Sequence, residues 1–119
     1  MSVKAFIIED DEDLSEIFAD ALETVGYEVE QIKDGLIAQQ RLKEDVPFVI
    51  LLDMHLPHVA GADLLKEIKA DERFKDTYVI LTTADARLAE VYEPIAYFVM
   101  VKPISFVQLR DLTARLKPK

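Results

Sequence analysis

The segment Phe48-Val49-Ile50-Leu51-Leu52 is apolar at every position and stops at Asp53. Such a strand has no polar face to turn toward water. It needs cover on both sides, which is the situation of a central strand in a parallel sheet flanked by helices. The rest of the chain supplies that setting. Residues 5–8 form a short apolar segment that ends at Glu9-Asp10-Asp11-Glu12-Asp13. Leu14, Ile17, Phe18, Ala21, Leu22 and Val25 then recur at helical spacing until Gly26 offers a stop. Residues 29–32 read as a second strand, and Asp34 as the cap of a helix to about residue 44, with Leu36, Ile37, Ala38, Arg41 and Leu42 on its surface.

A third helix is expected from residues 60–62 to about residue 72, turning Leu64, Leu65 and Ile68 inward. Residues 78–81 form a fourth strand ending in Thr82-Thr83, and residues 85–92 a helical segment that Pro94 keeps from continuing. Residues 97–101 form a fifth strand ending at Lys102-Pro103. Ser105 followed by Gln108 is a capping-box pattern, opening a helix with the stripe Phe106, Leu109, Leu112 and Leu116. Five strands alternating with five helical segments predict an α/β fold: an open parallel sheet with helices on both faces, in a single domain over residues 1–119.

Composition narrows the chemistry. The chain has no cysteine, which excludes disulfides, thiolate zinc sites, iron–sulfur clusters and cysteine nucleophiles. The 23 acidic and 14 basic residues give a net charge of -9, which argues against direct nucleic-acid binding, while the 50% hydrophobic content argues against disorder. No apolar run approaches the length of a membrane span and the first residues do not read as a signal peptide, so a soluble cytoplasmic protein is expected.

In an open parallel α/β sheet, ligands bind beyond the carboxyl ends of the strands. Those ends carry Glu9-Asp10, Asp53, Thr82-Thr83 and Lys102. Carboxylates suit a hard cation, and a hydroxyl with an amine suits an added anion. Together with Pro57 and Gly61 after the third strand, Ala84 after Thr83, and Pro103 after Lys102, this ordered set closely resembles the response-regulator receiver domain of the stand-alone, CheY-like kind, from about Val3 to Leu116.

The resemblance implies a flavodoxin-like sheet of strand order 2-1-3-4-5. It implies a phosphorylation-dependent switch of a two-component or phosphorelay system, in which Asp53 takes a phosphoryl group from the phosphohistidine of a histidine kinase or phosphotransfer protein. Asp10 and Asp53 are then metal ligands through their side chains, with Glu9 in support through water and the backbone carbonyl of His55 completing the set. The cation implied is Mg2+, with Mn2+ chemically similar. Lys102 and Thr83 contact the added phosphoryl. The Lys102-Pro103 peptide bond is implied to be cis. Slow self-dephosphorylation is implied rather than a dedicated enzyme activity. Output runs through a downstream protein partner, with room for a homodimer and none for membrane insertion.

Several residues carry plainer readings. Glu12, Asp13, Asp20 and Glu23 read as a solvated helix face, and Asp11 as a cap or a contact to metal-bound water. Asp85 reads as a cap for the fourth helix or a group that orients water. His55 and His58 lack a third nitrogen or sulfur ligand for zinc, so His55 is placed at the rim of the site. The sequence departs from the family pattern where Val99 occupies the usual aromatic position and where the stretch between Thr83 and Lys102 is about three residues short, roughly one helical turn, predicting a truncated or displaced fourth helix. These departures support the alternative of a phosphate-independent protein-interaction module. A dehalogenase-like phosphotransfer enzyme is disfavoured because His55 stands where that class needs a second aspartate.

Overall fold

A computed structural model describes residues 3–118. The order of elements is β1 (Val3–Ile8), α1 (Glu12–Thr24), β2 (Tyr27–Ile32), α2 (Gly35–Glu44), β3 (Val49–Asp53), α3 (Gly61–Ala70), β4 (Tyr78–Thr83), α4 (Ala86–Tyr92), β5 (Phe98–Val101) and α5 (Phe106–Leu116). All five strands are parallel, in the order β2-β1-β3-β4-β5. The apolar run that stops at Asp53 lies at the centre, and every residue of β3 is buried.

Alternation along the strands splits the core into two layers. Phe6, Ile8, Ile50, Leu52, Val79 and Leu81 point to one face, where Ala38 and Leu42 of α2 and Leu64, Leu65 and Ile68 of α3 cover them. Ala5, Ile7, Val49, Leu51 and Ile80 point to the other, against Phe18, Ala19 and Leu22 of α1 and Leu109 of α5. Burial of this kind stabilises by about 25 cal/mol per Å² of apolar surface. The α1–α5 layer is also tied by polar contacts. The buried Tyr27 hydroxyl donates to the Thr113 carbonyl at 2.7 Å, and Lys117 Nζ donates to the Val25 carbonyl at 2.8 Å.

Helix starts follow the sequence closely. Asp11, Asp34, Asp85 and Ser105 each accept a hydrogen bond from a backbone N–H of the first turn that follows. The capping readings of Asp11 and Asp85 therefore hold.

Other expectations change. Ile17 and Phe106, placed in apolar stripes by their spacing, are exposed, as are Leu36 and Ile37 on α2, while Ser15 and Thr113 are buried in their helices. Apolar residues at helical spacing define a wide arc, and packing uses only part of it. α3 ends at Ala70 rather than near residue 72, because Asp71 turns the chain into a 3-10 turn (Glu72–Phe74) by accepting from the Arg73 N–H. That turn delivers Phe74 into the core. β5 begins at Phe98, and Phe98 and Val101 are exposed because β5 is an edge strand. α4 has seven residues and none is buried, in line with the short stretch between Thr83 and Lys102. Among the described residues no helix is long and apolar enough to cross a membrane.

α3 lacks a side-chain cap, so its start depends on a close backbone approach. The Gly61 N–H donates to the Met54 carbonyl at 3.2 Å, and a Cβ at Gly61 would run into the Asp53 carbonyl and the Met54 Cα. Gly61→Ala is expected to destabilise the fold by about 1–3 kcal/mol through this overlap. Urea unfolding measures the effect, and an unchanged midpoint would show that the loop after β3 yields freely.

Candidate functional site

The parallel topology sends all the strand-end groups to one edge. Asp53 is the last residue of β3 and only 2% exposed. Glu9 directly follows β1 and is equally buried, its N–H still bonded to the Ile32 carbonyl of β2 at 3.0 Å. Asp10 lies outside this buried layer, in solvent. Glu9, Asp10 and Asp53 each offer a carboxylate oxygen, and the three oxygens lie within 4.8 Å of one another. At an effective dielectric of about 20, a pair of like charges so placed repel by roughly 3 kcal/mol or more. The cluster therefore favours binding of positive charge.

One positive charge comes from Lys102. Its Nζ lies 2.9 Å from Glu9 Oε1 and 3.5 Å from Asp53 Oδ1. The Lys102 N–H donates to the Thr83 carbonyl at 2.7 Å, extending the β4–β5 pairing one residue past the strand, and the following bond to Pro103 is cis. Burial by itself lowers the affinity of Lys102 for its proton. Hydrogen bonding to Glu9 and the charges of Asp53 and Glu9 more than offset this, so the ammonium is held above its ordinary value. Burial pushes Glu9 up from 4.5 to about 7, with the neighbouring Asp53 adding to the rise and Lys102 and the Asp11 N–H opposing it.

Thr83, fully buried at the end of β4, accepts from the Asp85 N–H at 3.0 Å. His55 follows β3 by two residues. Its N–H donates to Asp53 Oδ1 at 3.1 Å, and its ring Nε2 lies 3.3 Å from Thr83 Oγ1. His58 takes a left-handed φ of 71° in the same loop, and its ring faces Asp34 at 3.6 Å. The two histidines thus turn to different partners.

All six residues singled out from the sequence, Glu9, Asp10, Asp53, His55, Thr83 and Lys102, belong to this edge. Two features were not legible beforehand. Glu9, expected only as a supporting ligand through water, is the nearer partner of Lys102 because it completes the buried row of β1. Thr82 lies opposite Asp53 in the strand register, and its Oγ1 is buried without a hydrogen-bond partner among the described residues. The sequence showed a second hydroxyl beside Thr83, but only strand pairing reveals that Thr82 adjoins Asp53.

Comparison with known proteins gives the same architecture. Over 86 residues the chain is 37% identical to the polar-differentiation response regulator DivK of Brucella ovis, covering 72% of this chain and 70% of that protein. The chemotaxis response regulator CheY4 of Vibrio cholerae superposes with a TM-score of 0.87 at 22% identity, covering 98% of this chain and 100% of that one. The receiver domain of a signal-transduction histidine kinase from Syntrophus aciditrophicus superposes with a TM-score of 0.85 at 28% identity, covering 97% of this chain and 89% of that one. Residues 5–114 match the family described as the response regulator receiver domain. By its sequence and by its acidic strand-end pocket, the chain belongs to the receiver domains, the phosphorylation-dependent switches of two-component signalling.

Proposed function

We propose that Asp53 is the phosphoacceptor of this receiver domain and that Lys102 and Thr83 hold the phosphoryl group once it is attached. The observation that carries the assignment is the position of Asp53: buried at the end of the central strand, 3.5 Å from the Lys102 ammonium and beside two further carboxylates. An Asp53 oxygen attacks the phosphorus of a phosphohistidine donor. The phosphorus–nitrogen bond breaks, and the imidazole departs with its electron pair, leaving an acyl phosphate. Attack of water on the same phosphorus later restores the carboxylate and releases inorganic phosphate, which is self-dephosphorylation rather than turnover of a separate substrate.

The acidic cluster fits a hard divalent cation, because its donors are all oxygen and their mutual repulsion favours one. Mg2+ is the cation we assign, with Mn2+ as a chemical equivalent; when bound it neutralises charge on both carboxylate and phosphoryl. Asp10 and Asp53 would hold it, with Glu9 in support and the His55 carbonyl as backbone ligand. Lys102 is already at the site, exchanging Glu9 and Asp53 for a phosphoryl oxygen. The added group carries about -1.5 to -2 charge, enough to reset that pairing.

For partners, we propose a phosphohistidine-bearing kinase or phosphotransfer protein on the input side and a downstream protein on the output side. Val91, Ile95, Tyr97, Phe98, Val101 and Val107 are all exposed around α4, β5 and α5, an apolar surface suited to a protein partner or to a second copy of the chain. The net charge of -9 disfavours direct nucleic-acid contact. The reading is of one receiver domain over residues 1–119 that works in the cytoplasm.

Three outcomes test this reading. Incubation with a small-molecule phosphodonor and Mg2+ is expected to add one phosphoryl group to the intact mass, and Asp53→Asn is expected to abolish the addition. Undiminished acid-labile phosphate on that variant would remove Asp53 from the role. Asp10→Asn removes one member of the repelling cluster and is expected to raise stability in the absence of divalent cation, yet lose most of the rise in melting temperature that saturating Mg2+ gives the wild type. An equal rise in both proteins would place the cation elsewhere. Finally, the folded state keeps a proton on Glu9 that the unfolded chain releases between about pH 4.5 and about pH 7. Without divalent cation, the Glu9 contribution to stability therefore falls as pH rises through that window and levels off above it. The difference in urea stability between wild type and Glu9→Gln is expected to shift against the wild type across the same range, and a pH-independent difference would contradict the raised value.

A further inference from the structure

The Thr83 hydroxyl has one proton to donate and two lone pairs. One lone pair is taken by the Asp85 N–H at 3.0 Å, and the side chain in reach of the hydroxyl is the His55 ring, with Nε2 at 3.3 Å. With the ring proton on Nδ1, Nε2 is an acceptor for the hydrogen bond that the Thr83 O–H donates. Val99, at the position where the family resemblance calls for an aromatic partner to Thr83, packs against the core and has no polar atom. The hydroxyl is thus oriented from the loop after β3, not from β5.

We propose that His55 is the positioning residue that latches Thr83 in its resting orientation, and that phosphoryl transfer releases the latch by drawing the Thr83 O–H donor from the ring to a phosphoryl oxygen. This rests on the assignment of Asp53 as phosphoacceptor. The single hydroxyl proton cannot serve imidazole and phosphoryl together. A phosphoryl oxygen carries negative charge, and charge-assisted hydrogen bonds are about twice as strong as neutral ones, so the phosphoryl wins. The loop is prepared for the exchange, since the His55 N–H already donates to Asp53 Oδ1, the carboxylate that is modified. His55 is exposed while Thr83 is fully buried. Release therefore converts a change at a buried hydroxyl into a change at a surface ring, supplying the coupling that Val99 lacks.

The test uses the full chain and long-range proton–nitrogen NMR of the imidazole rings. In the resting protein, His55 Nε2 is expected to resonate as an unprotonated nitrogen that accepts a hydrogen bond. Thr83→Val should shift that resonance, and Mg2+ with beryllofluoride should shift it the same way in the wild type. Side-chain substitutions leave the His55 carbonyl in place. His55→Phe keeps a ring without an acceptor and should lower the beryllofluoride concentration for half-conversion by roughly two- to tenfold, the equilibrium worth of one neutral hydrogen bond. His55→Gln keeps an acceptor and should stay near the wild type. An Nε2 resonance indifferent to Thr83→Val, or equal half-conversion in the Phe and Gln variants, overturns the latch. If beryllofluoride leaves the wild type unchanged at every residue, the Asp53 assignment falls and the release step with it. The comparison with Thr83→Val in the absence of any added anion then still decides whether His55 holds the resting hydroxyl.

Discussion

The contact of Lys102 with Glu9 and Asp53 is the interaction on which the rest of the site depends. Two buried carboxylates at the ends of neighbouring strands repel each other when both are ionised, and the ammonium between them offsets that repulsion. The lysine answers only part of the charge: with all groups ionised, three carboxylates and one ammonium leave a local charge of about -2. Part of the excess is relieved by the proton that burial keeps on Glu9 up to about pH 7, and the rest by whatever cation enters. A site with this surplus attracts a divalent ion, and only that added positive charge lets an anionic phosphoryl group approach the carboxylate.

The two layers around the sheet differ in how firmly they are held. On one side α1 and α5 share a core with β1, β3 and β4, and the Tyr27–Thr113 and Lys117–Val25 hydrogen bonds close it. At the opposite corner α4 is a seven-residue helix with no buried residue, next to an edge strand whose Phe98 and Val101 face solvent. Elements with few buried contacts open at low cost, and switching is drawn from them. The rigid layer holds Glu9, Asp53 and Lys102 in register. The loose corner begins three residues after Thr83, at Ala86, so a rearrangement of that hydroxyl is delivered where the structure yields most readily.

Sequence reasoning reached the site because each functional group directly follows a run that periodicity marks as a strand. Apolar runs ending at Glu9, Asp53, Thr83 and Lys102 give four strand ends, and a parallel sheet places all strand ends on one edge. The helix caps were legible for a similar reason: Asp34, Asp85 and Ser105 act within three residues of their own position. Elements that respond to distant neighbours were not. The apolar residues Ile17 and Phe106 fit a helical stripe yet face solvent, because the sheet covers only part of each helix. β5 reads as an apolar strand, and its pattern alone does not show that Phe98 and Val101 face solvent.

What the sequence determined by itself was local and periodic: the identity of the strands, their order along the chain, the caps, and the acidic, hydroxyl and amine groups at the strand ends. Tertiary structure decided which of those groups touch. It made Glu9 rather than Asp10 the closer partner of Lys102, set Thr82 opposite Asp53, and turned the His55 ring to Thr83 in a chain whose Val99 has no group to offer. The reason is physical: hydrogen bonds and ion pairs act over a few ångströms between residues up to 93 positions apart in sequence, as between Glu9 and Lys102, and only strand register and packing bring such residues within that range.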